Sequence, residues 1–158
     1  MRSPVPLPEV DGYPSWLTVG KTFLKCQRVL AGLLRELDLT IAQHEVLVAV
    51  YRQGGSTQGE LAERLLVVKS NVSALIRKLE DRGLVDRGTD AADARRRVLH
   101  LTPAGRRLVR RSFALQNRVV EAMMSTLEPG ELDVLDSIMD RVSGALDDLQ
   151  AEDDRSRR

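Results

Sequence analysis

Apolar positions recur at steps of three and four along most of the chain, the spacing of one helical face, and the period changes only once. From Ser15, which reads as an N-cap, Trp16, Val19, Phe23, Cys26, Leu30, Leu33, Leu34 and Leu37 form a first stripe. Asp38-Leu39-Thr40 interrupts it, and Thr40 opens a second helix over residues 41–52 that stops at Gly54-Gly55. Thr57 followed by Glu60 is a capping box for a third helix, with Leu61, Ala62 and Leu65 inward. A break at residues 66–68 leads to a fourth helix over residues 69–82. Its inner face is Val72, Leu75, Ile76 and Leu79, and Gly83 ends it.

The period then shortens. Residues 84–87 and 97–101 are strand-like segments around a polar stretch at 88–96, the pattern of a β-hairpin with a charged tip. Thr102-Pro103 restarts a helix, threonine as cap and proline at the first position, running to about residue 126. Pro129 is read the same way for a last helix, where Leu132, Leu135, Met139, Val142, Leu146 and Leu149 alternate steps of three and four. Such a seam suits a helical partner, and the pattern leaves open whether that is a second copy or the chain itself. Pro4, Pro6, Pro8 and Pro14 make residues 1–14 a flexible arm. The fold class expected is mainly α with a small β-hairpin, an α+β protein of one domain.

Composition narrows the picture. Aromatic residues are 3% of the 158, so the core is built from Leu, Val and Ala, which favours helices. The longest apolar run, residues 46–51, is far short of the ~20 residues of a membrane span. The early prolines do not suit a secretory signal, and a single cysteine, Cys26, excludes an internal disulfide. These features point to a cytoplasmic protein with no membrane association. The net charge is +1, but its distribution is uneven: residues 69–111 carry 12 Lys/Arg against 5 Asp/Glu, and residues 112–154 carry 2 against 11. A cationic middle beside an anionic C-terminal third suggests a surface for a polyanion. Catalysis finds no support. His44, His100 and Cys26 have no metal-ligand spacing, and neither a Gly-rich phosphate loop nor a paired carboxylate stands out. No catalytic residue, metal or cofactor is therefore expected. A helical adaptor that binds only protein would lack the cations of helix four and the hairpin.

The order of three helices, a turn, a helix and a hairpin is that of a winged helix-turn-helix. Ala62 is small enough for the fourth helix to approach the third, and Val72 and Leu75 are placed to lock the pair. Residues 58–65 (QGELAERL), 79–87 (LEDRGLVDR), 90–95 (DAADAR) and 101–105 (LTPAG) resemble, in order and spacing, the signatures of the MarR family of winged helix-turn-helix transcriptional regulators. The likeness is strongest from residue 39 to residue 108. It implies a homodimer joined by helices in residues 15–38 and 104–152, with residues 40–103 as the winged helix-turn-helix. It also implies a repressor on a pseudo-palindromic duplex, released by a small aromatic or phenolic effector.

The exposed positions of the fourth helix, Ser70, Asn71, Ser73, Ala74, Arg77 and Lys78, would then face the major groove. Asn71 suits adenine and Arg77 suits guanine or a phosphate, while Ser70 and Asn71 suit capping of their own helix equally. Arg95 resembles the family residue that enters the minor groove, and Asp93 the residue that holds the wing in shape. Arg96 and Arg97 add attraction for phosphates, as do Arg82 and Arg87. Trp16, Phe23, Arg28, His44 and Tyr51 are candidate effector liners, although core packing explains Trp16 and Phe23 as well. Cys26, on the apolar stripe, reads as an inert buried thiol, with peroxide sensing as the alternative. The chain departs from the family at Leu66, where relatives often have glycine, and at Ala74, where many have arginine. The second departure implies a different affinity or choice of sequence.

Overall fold

Side-chain and glycine caps decide where the elements of this chain begin and end. The computed structural model describes residues 10–65, 69–89 and 95–157, the side chains of Lys69, Ser70 and Asn71 excepted. The arm up to residue 9, Leu66 with its turn, Asp93, and the side chains of Ser70 and Asn71 lie outside the described residues. The order is α1 (Tyr13–Leu34), a 3-10 turn (Arg35–Leu37), α2 (Ile41–Gln53), α3 (Gln58–Arg64), α4 (Lys69–Asp81), β1 (Val85–Thr89), β2 (Arg97–Leu101), α5 (Pro103–Met124) and α6 (Glu131–Ser156). The chain forms two compact units, Met1–Val119 and Val120–Arg158.

In the first unit, Thr40 and Gln43 exchange cap bonds at the start of α2, at 3.2 and 3.0 Å. Thr57 and Glu60 do the same for α3, at 3.2 and 2.8 Å. Each pair satisfies two of the donors that a helix N-terminus leaves over. Gly54 (φ +69°) and Gly83 (φ +62°) end α2 and α4 in the left-handed region, where a side chain would be strained. The expected start of α1 is wrong. Ser15 is not the cap of α1, which begins two residues earlier behind Gly12 (φ +89°), whose carbonyl accepts the Trp16 amide at 2.9 Å. Pro14 sits in the first turn, where its missing N–H has no intrahelical partner to lose.

The core is formed by Leu34, Leu47, Leu61, Val72, Ile76, Leu79 and Val109, with Ala62 and Val72 buried where α3 meets α4. Burial of Val72 and of Ile76 contributes roughly 1.5–3 kcal/mol each. α4 also packs on α2 and β1, which orients its opposite face away from the core. The strands are antiparallel, pairing Val85 with Leu101 and Thr89 with Arg97. Ser56 adds a short third rung, its amide and carbonyl bonding those of Leu99 at 3.1 and 2.8 Å.

The first stripe enters this core only from Cys26 onward. Core packing, one of the two expectations for Trp16 and Phe23, is not met: they are 64% and 59% exposed. Periodicity identifies an apolar face but not what covers it. In the second unit, Gly130 (φ +85°) caps α6, and Pro129 stands one residue outside the cap rather than in the first turn. No residue of α6 is buried, and its seam from Leu132 to Leu149 is uncovered, with Leu146 and Leu149 each 62% exposed. Among the described residues no helix is long and apolar enough to cross a membrane.

Candidate nucleic-acid interface

Burying Val72, Ile76 and Leu79 leaves Ala74, Arg77 and Lys78 exposed along the other side of α4. Ser73 is half-buried at the edge of that face, and its hydroxyl accepts a bond from Gln58 Nε2, tying α3 to α4. Lys78 also borders a cleft of about 480 Å³ with Arg35, Thr40, Asp81 and Arg82. Beyond the hairpin tip, Arg95, Arg96 and Arg97 follow one another on the arm that becomes β2, all exposed.

The other arginines expected to attract phosphates are engaged within the chain. Arg82 donates to the Asp38 carbonyl at 2.7 Å and lies 3.7 Å from its carboxylate, fastening the end of α4 to the turn before α2. Arg87 makes a two-pronged pair with Glu80 at 2.6 and 3.3 Å, joining β1 to α4. The bond to Glu80 and then its charge hold the guanidinium even more firmly protonated. Arg96 pairs with Glu60, whose carboxyl is held below the usual range by the Thr57 amide first and by Arg96 as a lesser cause. The interface residues thus stand on one compact unit, with α4 packed on α2 and α3 and the arm bonded at its base.

A family model described as MarR family matches residues 37–96. The transcriptional regulator HosA of Escherichia coli O157:H7 is 33% identical over 94 residues, which are 60% of this chain and 70% of HosA. The chain belongs to the MarR family. Among solved structures, the Staphylococcus aureus MepR–DNA complex is 25% identical, with 87% of this chain and 99% of MepR covered and a TM-score of 0.75. CouR from Rhodococcus jostii RHA1, bound to p-coumaroyl-CoA, shares the fold at 20% identity, with 85% and 95% covered and a TM-score of 0.76. The mainly α architecture with a hairpin wing is that of the family, and its members here are transcriptional regulators.

Of the five candidate effector liners, the structure brings no set together. Trp16 lines a shallow cleft with Val10 and Tyr13, while Phe23, Arg28 and Tyr51 are exposed on their helices. His44 is instead buried between α2 and α5. Its Nε2–H donates to Gln116 Oε1 at 3.2 Å, and Nδ1 lies 3.0 Å from the Ser112 hydroxyl, which itself donates to the Val109 carbonyl at 3.1 Å. This cluster borders a cleft of about 260 Å³ that also takes in Glu45, Val48, Arg52 and Arg64, with Arg52 set over the Phe113 ring at 5.6 Å. Sequence reading missed Ser112 and Gln116, since neither has a local pattern that marks it.

Burial pulls the His44 imidazole down from its ordinary range, the bond to Gln116 opposing this in part. The folded ring therefore resists a proton that the unfolded chain takes up from about pH 6.5 downward. Stability is full above that pH and declines as pH falls below it, until the folded ring titrates as well. Glu45, pushed up by burial, works in the opposite sense: its folded carboxyl takes a proton more readily, which adds stability as pH falls. Denaturant unfolding at fixed protein concentration is expected to show lower stability at pH 5.5 than at 7.5, and a smaller difference in His44→Gln. An equal difference in the variant contradicts the assignment to His44.

Proposed function

We propose that this chain is a sequence-specific repressor that binds a pseudo-palindromic duplex as a homodimer and leaves it when a small aromatic or phenolic effector binds. One observation carries the reading: an exposed α4 face with Arg77 and Lys78 and an arm with Arg95 to Arg97 stand on one unit, in a family of transcriptional regulators. In this reading Ser70, Asn71, Ser73, Ala74, Arg77 and Lys78 lie in the major groove. Arg95 enters the minor groove, Asp93 shapes the wing, and Arg96 and Arg97 draw the phosphates.

Residues 15–38 and 104–152 serve the dimer and residues 40–103 the DNA, and the arm expected over residues 1–14 is shorter, since α1 begins at Tyr13. The uncovered Trp16, Phe23 and Leu132 to Leu149 support that division, because apolar faces of this extent are rarely left to water. MepR in complex with DNA supports the partner, and CouR bound to p-coumaroyl-CoA supports effector control. The role is that of a cytoplasmic binding protein, not an enzyme. Selection of bound duplexes from a random pool by purified protein tests the reading. A recovered inverted repeat is expected, and a pool with no enrichment contradicts it.

A further inference from the structure

One carboxylate in this unit holds two elements at once. Glu60 Oε2 accepts the Thr57 amide at 2.8 Å and completes the cap of α3, while its other oxygen, Oε1, accepts from Arg96 on the wing arm. The same stretch of chain is fastened to the same strand at two further points. Ser56 and Leu99 exchange backbone bonds, and His100 Nδ1–H donates to the Gly54 carbonyl at 3.2 Å. The His100 ring fits closely against Gly55 and against Gly88 of β1, since a Cβ on either would stand 2.9 Å from it. Arg96, just before β2, and Val98 and His100 within it line one cleft of about 350 Å³ together with Glu60.

The three attachments differ in what they constrain. The Ser56–Leu99 and Gly54–His100 bonds hold the base of the wing. Of these three, the Glu60–Arg96 pair is the one that reaches beyond the last paired residue of β2, Arg97, to the point where the arm leaves the sheet. Arg95 is the next residue, one Cα step of about 3.8 Å away, in the turn that precedes β2. Holding Arg96 therefore limits where the backbone of Arg95 can stand.

We propose that Glu60 is the positioning residue of the wing: it caps α3 with one carboxylate oxygen, grips Arg96 with the other, and through Arg96 sets where Arg95 stands relative to α4. Its DNA consequence rests on the function proposed above. Arg96 then serves the interface as a strut rather than chiefly as a phosphate contact.

Glu60→Gln separates the two jobs. Glutamine completes a capping box through its one carbonyl oxygen, as Gln43 does for Thr40, but has no second acceptor for Arg96. The change also makes the protein more positive, so simple charge predicts tighter binding to every duplex. The wing role predicts otherwise. Affinity for duplexes with A-tract flanks, divided by affinity for the same core with G·C flanks, is expected to fall two- to fivefold. That is roughly the range set by a partly exposed ion pair. Arg96→Ala is expected to lower the ratio similarly, and the double variant to lower it no further. A ratio in Glu60→Gln equal to or above wild type overturns the proposal.

A measurement without DNA keeps the two readings apart. Amide hydrogen exchange in the free protein is expected to quicken several-fold at residues 95–97 in Glu60→Gln, with α3 unchanged. Equal exchange at residues 95–97 overturns the latch whatever the protein binds. Failure of wild type to bind any duplex, with the exchange result intact, overturns the DNA reading alone.

Discussion

Gly105→Ala is expected to destabilise the protein by about 2–3 kcal/mol, which for a chain of this size lowers the melting temperature by about 5–10 °C. Gly105 lies in the first turn of α5, where its amide is capped by Thr102 Oγ1 at 3.0 Å. The same threonine hydroxyl donates to the Gly83 carbonyl at 2.7 Å, and its amide to the Leu84 carbonyl at 3.1 Å, so the turn is drawn tightly against the end of α4. A Cβ at position 105 would meet the Leu84 carbonyl oxygen at 2.0 Å and its carbon at 3.0 Å. These are backbone atoms, and no rotamer moves them aside, so α5 must shift as a whole. Gly59→Ala is the control. Its Cβ would meet only Thr57 Oγ1, at 3.9 Å, and it should be neutral or stabilise by up to ~1 kcal/mol. Thermal unfolding of the two variants at equal concentration checks this, and a melting point for Gly105→Ala near that of wild type contradicts it. The motif Leu-Thr-x-x-Gly thus has a physical content: a cap for α5 and a gap for the neighbouring carbonyl.

The second large effect concerns DNA. Arg77 stands on the exposed side of α4, where the major groove distinguishes all four base pairs, so Arg77→Ala should lose roughly 1–3 kcal/mol on the preferred duplex and relax choice at one position per half-site. Arg95 stands on the wing arm and is assigned to the width and potential of the minor groove. Arg95→Ala should therefore weaken binding to most duplexes alike and reduce the slope of affinity against salt by about one. Titrations of both variants against matched and single-mismatch duplexes at several salt concentrations separate the roles. Equal loss on every duplex for Arg77→Ala, or an unchanged salt slope for Arg95→Ala, contradicts the division.

Much of the fold was legible because its signals are local. Thr40, the Thr57–Glu60 box, Gly83 and Thr102-Pro103 each mark a boundary within a few residues, and the inner face of α4 follows from a single period. The start of α1 was misread because a serine can cap through its side chain, whereas Gly12 does so with its carbonyl alone. Trp16 and Phe23 show a different limit. Spacing places them on one face, but the element that would cover them is not local. The candidate site divides the same way. Arg77 was proposed from the exposed face of its helix, and Arg95 from the resemblance of residues 93–95 to a family motif. The grip of Glu60 on Arg96 spans 36 residues, and the bonds of His44 to Ser112 and Gln116 span 68 and 72, and no window along the sequence joins them.

In the proposed function, two copies of this chain read two half-sites on one face of a duplex. Two recognition helices held by a rigid two-fold dimer must sit about one helical turn apart, roughly 34–36 Å. The most direct measurement is the affinity for the selected inverted repeat before and after five base pairs are inserted between its halves. The insertion turns one half-site to the opposite face while leaving every base of both half-sites in place. Binding is predicted to fall to the level of an unrelated duplex, on the order of a 10³-fold loss. Unchanged affinity for the spaced repeat would contradict the account.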